Sequence, residues 1–212
     1  MRDILIIDYG IGNIRSVMRS IEICGFNPIL SSDSKDIKNA NKIILPGVGA
    51  FYDGMNGLKK RGLIEPIKQF VKSGKYFLGI CLGMQMMMSK SYEYGNFDGL
   101  NLIEGEVLSF PKPKIEDRYK IPHIGWNSLL KKKNDIWKST ILEDLKDESD
   151  VYFVHSYYVK PKSEKNSLAN CNYMNIEFCA VLQKNNIYGC QFHPEKSGYV
   201  GLSILKNFCE QK

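Results

Sequence analysis

Cys81 lies where a short apolar segment meets a segment of helical character. Residues 76–80 are apolar and bounded by glycine, which predicts a buried strand of a parallel sheet, and residues 82–88 predict a helix that starts without a loop. A side chain at so sharp a turn stands above the sheet, where the helix N-terminus favours a thiolate and offers free backbone N–H groups. The pattern is typical of a nucleophilic cysteine, with a buried core cysteine as the alternative.

A second polar cluster follows the apolar segment 187–190 near the end of the chain. His193 and Glu195 are two residues apart, so in an extended segment their side chains point the same way. A cysteine, a histidine and a carboxylate supply the nucleophile, the general base and the orienting group of an acyl-transfer site. Taken singly, His193 is equally a hydrogen-bonded structural histidine, and Glu195 a solvated loop charge.

The elements that must position these groups alternate between strand and helix over the first half of the chain. A buried strand is predicted at 4–7 and two more strands at 28–30 and 43–45, and amphipathic helices are marked by apolar residues from Ile14 to Ile21 and from Leu63 to Val71. Strands dominate from about Gly105 to Phe192, and Ser197 is predicted to cap the last helix. The fold class is therefore α/β, with a mostly parallel central sheet flanked by helices and added mixed or antiparallel strands.

Composition limits the classes of protein to which the chain can belong. Its 212 residues suit a single domain, residues 1–212, and 43% apolar content is typical of a soluble globular protein. No apolar run approaches a membrane span, and the six cysteines lack metal-ligand spacing, so we expect a cytoplasmic protein with no metal. The net charge of +6 is scattered, its densest run being residues 131–133, and no nucleic-acid motif accompanies it.

Six segments, in order along nearly the whole chain, carry a resemblance to a known family. Gly-Ile-Cys-Leu-Gly-Met-Gln at 79–85, Gln-Phe-His-Pro-Glu-Lys-Ser at 191–197 and Leu-Pro-Gly-Val-Gly at 45–49 resemble the class I, or triad, glutamine amidotransferases. Asp-Tyr-Gly-Ile-Gly-Asn at 8–13, Ile-Pro-His-Ile-Gly-Trp-Asn at 121–127 and Tyr-Phe-Val-His-Ser-Tyr at 152–157 narrow the resemblance to glutaminase subunits of imidazole glycerol phosphate synthases.

The resemblance implies hydrolysis of L-glutamine to glutamate and ammonia by Cys81, His193 and Glu195, with no cofactor. The helix-start amide of Leu82 is one expected oxyanion donor, and the glycine-containing loop formed by Gly47, Val48 and Gly49 is expected to place or flip a second N–H toward the oxyanion. A tight turn needing glycine for its geometry is the alternative for that loop. Gln85 lies one helical turn past the cysteine and is expected to bind the amino-acid end of glutamine, unless it is a surface glutamine.

The resemblance adds the backbone of Ser156 and Tyr157 to the glutamine site and implies a partner protein. Free ammonia is wasted in water, and the family passes it to a (β/α)8-barrel cyclase subunit in a heterodimer. Trp126, placed on a loop, is the expected anchor of that interface, with a core aromatic as the alternative. The residues that resemble the partner-facing set are Asn13, Pro122, His123, Gly125, Trp126, Asn127 and Lys196.

Several functions are compatible with these motifs. The first is the glutaminase subunit that supplies a cyclase making imidazole glycerol phosphate and AICAR in histidine biosynthesis. The second is a paralogous glutaminase that feeds a cyclase-like partner modifying a sugar in surface-glycan biosynthesis. A partner-binding relative without activity and a cysteine peptidase are disfavoured by the intact triad residues and by Gln85 and Trp126. The resemblance is weakest over residues 112–120 and 131–135, which bear on the identity of the partner.

Overall fold

The computed structural model describes residues 3–113, 119–131 and 137–212. The expectations for residues 114–118 and 132–136, including most of the lysine run, lie outside the described residues. The helices are α1 Ile14–Ile23, α2 Ser34–Asn39, α3 Phe51–Lys60, α4 Ile64–Lys72, α5 Leu82–Met86 and α6 Gly198–Glu210. The strands are β1 Asp3–Ile7, β2 Asn27–Ser31, β3 Lys42–Leu45, β4 Tyr76–Ile80, β5 Lys90–Ser91, β6 Phe97–Asp98, β7 Gly105–Ser109, β8 His123–Ser128, β9 Leu130–Lys131, β10 Asp150–His155, β11 Tyr157–Pro161, β12 Ser167–Tyr173, β13 Ile176–Lys184 and β14 Ile187–Cys190.

A large sheet with the strand order β2-β1-β3-β4-β14-β13-β12-β9 is the centre of the molecule. Its first five strands run parallel, and the remaining three add antiparallel pairs. A smaller sheet has the order β11-β7-β5-β6, and β8 pairs with β10 as an antiparallel ribbon. The predicted fold class, α/β with a mostly parallel sheet and added antiparallel strands, is confirmed.

Helices cover both faces of the large sheet because its buried strands are apolar on both sides. Along β1, Ile4 and Ile6 pack with α1 and α6 on one face, whereas Leu5 and Ile7 pack with α3 and α4 on the other. The period-2 alternation of a strand thus supplies both cores. None of the helices in the described part of the chain is long and apolar enough to cross a membrane.

Three local expectations are corrected. The helix expected over 82–88 ends at Met86, because its last carbonyl oxygen accepts the N–H of Leu100 rather than continuing the helix. Ser197 precedes α6, but its hydroxyl bonds the carbonyl oxygen of His193 and the N–H of Tyr152 instead of capping that helix. Trp126, expected on a loop, lies in β8.

Candidate active site

Three neighbouring parallel strands deliver the candidate groups to one edge of the sheet. In register, Leu45 of β3 lies opposite Gly79 of β4, and Ile80 of β4 lies opposite Cys190 of β14. Parallel strands leave a sheet at the same edge, so the residues after each strand meet there. The loop after β3, the cysteine after β4 and the histidine after β14 therefore converge, although more than a hundred residues separate the last two.

Cys81 occupies a strained turn between β4 and α5. Its φ of 52° and ψ of −107° lie in a region that side chains rarely adopt, and its N–H donates to the carbonyl oxygen of Cys190 over 2.7 Å. A side chain on Gly83 would overlap the carbonyl oxygen of Leu45, so this glycine lets the elbow pack against β3. The cysteine is 7% exposed and lines the adjoining cavity.

His193 and Glu195 form a buried hydrogen-bonded pair beside the cysteine. Nδ1 of His193 lies 2.8 Å from Oε1 of Glu195, and the side chains are 2% and 1% exposed. The amide of Asn13 also donates to Oε1 of Glu195, over 3.4 Å. Within the described residues, Nε2 of His193 and Oε2 of Glu195 are buried without an aligned hydrogen-bond partner. The imidazole is thus oriented through Nδ1, which leaves Nε2 for chemistry.

Electrostatics favour the charged form of His193. Burial lowers its pKa, but interactions with Cys81 and Glu195 outweigh this effect and raise the pKa to about 10. A protonated imidazole near neutral pH is suited to stabilise a thiolate and then to give its proton to a leaving group. The arrangement therefore supplies a proton donor beside the sulfur, as acyl transfer to a cysteine requires.

The loop after β3 is packed tightly against the elbow. The N–H of Leu82 donates to the carbonyl oxygen of Gly47 over 3.4 Å, and the hydroxyl of Tyr9 donates to that of Pro46 over 2.8 Å. Because a peptide unit is planar and trans, the N–H of Val48 points opposite to the carbonyl of Gly47. The N–H of Leu82 and the N–H of Val48, one of the loop residues from which the second donor is expected, thus do not converge on one point here. Gly49 has a φ of 91°, and a Cβ at this position would meet no atom within 4 Å.

A cavity of ≈ 370 Å³ opens beside the cysteine. It brings together most of the residues expected to bind glutamine or its oxyanion, namely Val48, Gly49, Leu82, Gln85, Ser156 and Tyr157, with Cys81 and His193. Gln85 is 5% exposed, so the surface alternative for this residue is excluded. The cavity is of a size suited to one small metabolite. The catalytic and binding roles of these residues stay predictions.

Sequence reasoning missed two residues of this site. Glu93 lines the cavity, and its carboxylate accepts the N–H of Phe51 over 2.6 Å at the start of α3. Burial raises the pKa of Glu93. Gln191 is fully buried and its amide nitrogen lies 3.9 Å from the sulfur of Cys81. The sequence around Glu93 gives no signal for this role. Gln191 stands two residues before His193, so in an extended segment its side chain projects toward the same side, and this is the one signal that could have found it.

The residues expected at a partner interface differ in how far they are exposed to solvent. Trp126 is 57% exposed, which excludes the core alternative, and Ile124 on the same face of β8 is 59% exposed. Pro122 and Lys196 are exposed, and Asn13, Gly125 and Asn127 are partly buried. The side chain of His123 is 2% exposed and stacks on Phe153 and Tyr173. The structure thus does not place this side chain at the surface.

No group of three or more His, Cys, Asp or Glu side chains within residues 3–113, 119–131 and 137–212 is arranged to hold a metal ion. All six cysteines are free.

Comparison with known proteins identifies the family. The family model for class I glutamine amidotransferases matches residues 5–212. An imidazole glycerol phosphate synthase subunit HisH 1 of Legionella pneumophila strain Lens is 50% identical over 212 residues, covering 99% of this chain and 100% of the relative. The HisH subunit of Geobacter sulfurreducens is 48% identical with complete coverage of both chains, and that of Methanosarcina barkeri is 49% identical over 99% of each.

Solved structures with low sequence identity share the fold. The structure of PurLQS from Thermotoga maritima matches 98% of this chain and 97% of that chain with a TM-score of 0.73 at 19% identity. A glutamine amidotransferase structure matches 93% and 94% with a TM-score of 0.70 at 14% identity. The family match and the near-50% identity over full length lead to one conclusion: the chain belongs to the class I glutamine amidotransferases, a family of enzymes, and is similar throughout to the HisH subunits of imidazole glycerol phosphate synthase.

Proposed function

We propose that this chain is the glutaminase subunit of an imidazole glycerol phosphate synthase. It hydrolyses L-glutamine with Cys81, His193 and Glu195 and passes ammonia to a (β/α)8-barrel cyclase that makes imidazole glycerol phosphate and AICAR. The observation that carries the proposal is the His193–Glu195 pair beside the strained Cys81, at the mouth of a cavity, in a chain about half identical to HisH subunits over its full length.

Glutamine binding is supported by the chemistry of the cavity wall. Glu93 is the acidic residue among the lining side chains, so we propose that its carboxylate binds the α-ammonium group of the substrate. Its bond to Phe51 fixes the carboxylate before the substrate arrives. Gln85 and the backbone of Ser156 and Tyr157 hold the remaining polar atoms of the amino-acid end. The side-chain amide of glutamine then reaches the sulfur of Cys81.

The first chemical step is attack of the Cys81 thiolate on the amide carbon of glutamine. A carbon–sulfur bond forms as the carbonyl electrons move to the oxygen, which becomes an oxyanion. The N–H groups of Leu82 and Val48 stabilise that oxygen once the Gly47–Val48 peptide has rotated. His193 gives its Nε2 proton to the nitrogen, the carbon–nitrogen bond breaks, and ammonia leaves a glutamyl thioester on Cys81.

The second step returns the enzyme to its starting state. Neutral His193 takes a proton from water, and the hydroxide attacks the thioester carbon. The carbon–sulfur bond breaks, which releases glutamate and restores the thiolate beside a protonated imidazole. Glu195 holds the imidazole by Nδ1 throughout, so that Nε2 exchanges protons on both occasions.

The partner is proposed to dock on the exposed face of β8. Ile124 and Trp126 present adjacent apolar side chains there, and the rings of Trp126 and Tyr152 lie edge to face with their centroids 6.0 Å apart. Asn13, which is also expected at the interface, donates a hydrogen bond to Glu195 of the proposed triad. We place the heterodimer in the cytoplasm, where thiols such as the six free cysteines stay reduced, and we propose that residues 1–212 act as a single domain.

The test is purification of the chain from its source followed by an activity assay of the complex. We expect a barrel cyclase to co-purify and the pair to convert the phosphorylated ribulosyl intermediate of histidine synthesis with glutamine as nitrogen donor. If the co-purified partner instead aminates a sugar and the pair leaves the histidine intermediate unchanged, the sugar-modifying paralogue is the correct assignment. A pair in which the Cys81→Ala variant retains glutamine-dependent turnover would contradict the triad.

A further inference from the structure

One backbone carbonyl oxygen, that of Tyr157, fixes the direction of the hydrogen bonds around the nucleophile. It lies 3.0 Å from the amide nitrogen of Gln85 and 2.8 Å from Nδ1 of His155. A carbonyl oxygen can only accept, so both neighbouring atoms must be donors. The amide of Gln85 is therefore oriented with its NH₂ group toward Tyr157.

The same NH₂ group reaches a second acceptor. It lies 3.2 Å from Oε1 of Gln191, whose side chain is fully buried. Because the amide oxygen of Gln191 accepts the hydrogen bond from Gln85, the other terminal atom of this amide must be its NH₂ nitrogen. This nitrogen lies 3.9 Å from the sulfur of Cys81. Donor and acceptor roles thus follow without ambiguity from the Tyr157 carbonyl to the nucleophile.

We propose that Gln191 is a further residue of the catalytic site, which donates an N–H to the Cys81 sulfur and stabilises its thiolate form. A hydrogen bond to an ionised acceptor is about twice as strong as one to a neutral acceptor, so this donor favours the thiolate over the thiol. Gln85 lines the substrate cavity and orients Gln191, so the substrate site and the nucleophile share one hydrogen-bond chain. The inference rests on the proposed function for the identity of the substrate only.

The test measures ionisation of Cys81 directly. The rate of Cys81 alkylation by iodoacetamide is recorded against pH, and mass spectrometry separates Cys81 from the other cysteines. Gln191→Met keeps the length of the side chain without its donor, and Gln191→Glu places a negative charge toward the sulfur. Gln183→Met is the matched control, because Gln183 bonds the hydroxyl of Tyr188 away from the cavity.

Other titratable groups face Cys81 or line its cavity and are common to all variants, namely Tyr9, Glu93, Tyr94, His155, Tyr157, His193 and, behind the last, Glu195.

We expect Gln191→Met to move the midpoint of the alkylation profile upward by about one pH unit and, at pH values well below the parent midpoint, to slow alkylation about tenfold. Gln191→Glu moves the midpoint further, and Gln183→Met leaves it in place. A midpoint in Gln191→Met that coincides with that of the parent chain would overturn the proposal. Alkylation needs neither glutamine nor a partner, so this result is independent of the assay for histidine synthesis.

A second measurement uses the unaltered chain in case the substitutions prevent folding. The side-chain amide resonances of Gln191 are followed by NMR while Cys81 is titrated. They are expected to shift with the midpoint found by alkylation, because the amide senses the charge on the sulfur. Gln191 resonances that stay constant through that midpoint would equally refute the contact.

Discussion

The backbone N–H of Leu82 donates to the carbonyl oxygen of Gly47 over 3.4 Å. Leu82 is the first residue of α5, so its N–H is one of the donors at a helix N-terminus that have no partner within the helix. In this arrangement a carbonyl oxygen of the protein faces the donor that the proposed mechanism assigns to the substrate oxyanion. The N–H of Val48 points away, since it belongs to the same peptide unit as that carbonyl.

The isolated chain is therefore expected to hydrolyse glutamine slowly. One oxyanion donor contributes about 10²–10³ in rate, and here the Gly47 carbonyl competes for the remaining donor as well. Addition of the cyclase with its acceptor ligand should raise glutamate release by at least that factor through rotation of the Gly47–Val48 peptide. Glutamate release is measured with and without the partner; full activity in the isolated chain would contradict this coupling.

Gly47 is predicted to be intolerant of a side chain. A Cβ there would lie 2.5 Å from the hydroxyl of Tyr9, 2.9 Å from Cβ of Leu82 and 3.0 Å from the backbone nitrogen of Gly83. Gly47→Ala should lower the free energy of unfolding by about 1–3 kcal/mol through overpacking and lower partner-stimulated kcat at least 10²-fold. Both are measured below the unfolding temperature, so that the kcat refers to folded protein.

The control for this substitution is Gly74→Ala. Gly74 has a φ of 84° with open space around its Cβ direction, so alanine there adds backbone strain of about 1 kcal/mol without a clash. Its kcat is expected to equal that of the parent. Equal kcat in Gly47→Ala and Gly74→Ala would mean that the loop after β3 does not form the oxyanion site.

The parallel half of the fold could be predicted because its signals are local. β1, β3 and β4 are short apolar segments, and α1 and α4 show helical apolar spacing. The helix α3 escaped prediction because Gly54 and Gly57 interrupt its pattern. A Cβ at Gly54 would lie 2.6 Å from the sulfur of Met86, and one at Gly57 would lie 2.8 Å from the carbonyl oxygen of Tyr9. These glycines serve close packing, a tertiary requirement that the local pattern does not reveal.

The candidate site could be predicted where residue type and strand position agree, as for Cys81 and His193. Glu93 and Gln191 could not, because their roles depend on contacts with residues distant in sequence, 42 positions to Phe51 and 110 to Cys81. The placement of Trp126 in β8 depends on antiparallel pairing with β10, opposite Tyr152. A Gly-Trp-Asn sequence alone resembles a turn, and only the partner strand makes it extended.

Substitution of the nucleophile separates catalysis from folding. Cys81→Ala should abolish glutamine hydrolysis and leave ammonium-dependent synthesis by the complex intact. Cys81→Gly should be equally inactive but gain about 1 kcal/mol of stability relative to the alanine variant, because glycine adopts the φ of 52° and ψ of −107° without strain. Chemical denaturation compares the two. An alanine variant as stable as the glycine variant would show that the elbow is not strained.

Trp126 is predicted to contribute to partner binding and not to stability. Its side chain is 57% exposed, so truncation opens little core. Trp126→Ala should weaken cyclase binding by about 2 kcal/mol or more, about thirtyfold in Kd, as expected for an aromatic anchor. Ile23→Ala is the control, because Ile23 is 62% exposed at the opposite end of α1 from Asn13. Titration calorimetry measures both; equal affinities would exclude the β8 face.

Two buried histidines should govern acid stability. Nδ1 of His155 donates to Tyr157, so its neutral Nε2 accepts a hydrogen bond from Nδ1 of His123, 3.0 Å away. Burial lowers the pKa of His123 to about 4 and that of His155 to about 3. In the unfolded chain a histidine has a pKa of about 6.5. Between these values the unfolded state binds more protons, so the free energy of unfolding falls as the pH falls below about 6.5.

The raised pKa of His193, about 10, acts in a different range, since its stabilising effect is complete below about pH 6.5 and is lost as the pH rises toward 10. A drop in stability between pH 7 and pH 5 therefore has the sign expected of the depressed pair and not of His193. His123→Phe keeps an aromatic ring beside Phe153 and Tyr173 but cannot titrate. It should reduce that drop by about 2 kcal/mol, as linkage gives for a shift from 6.5 to about 4. Urea denaturation at pH 5, 6 and 7 measures the drop in each protein. The comparison is between the slopes of the free energy of unfolding against pH, so a uniform loss of stability in the variant does not affect it. Parallel pH profiles for the two proteins would show that His123 is not held neutral.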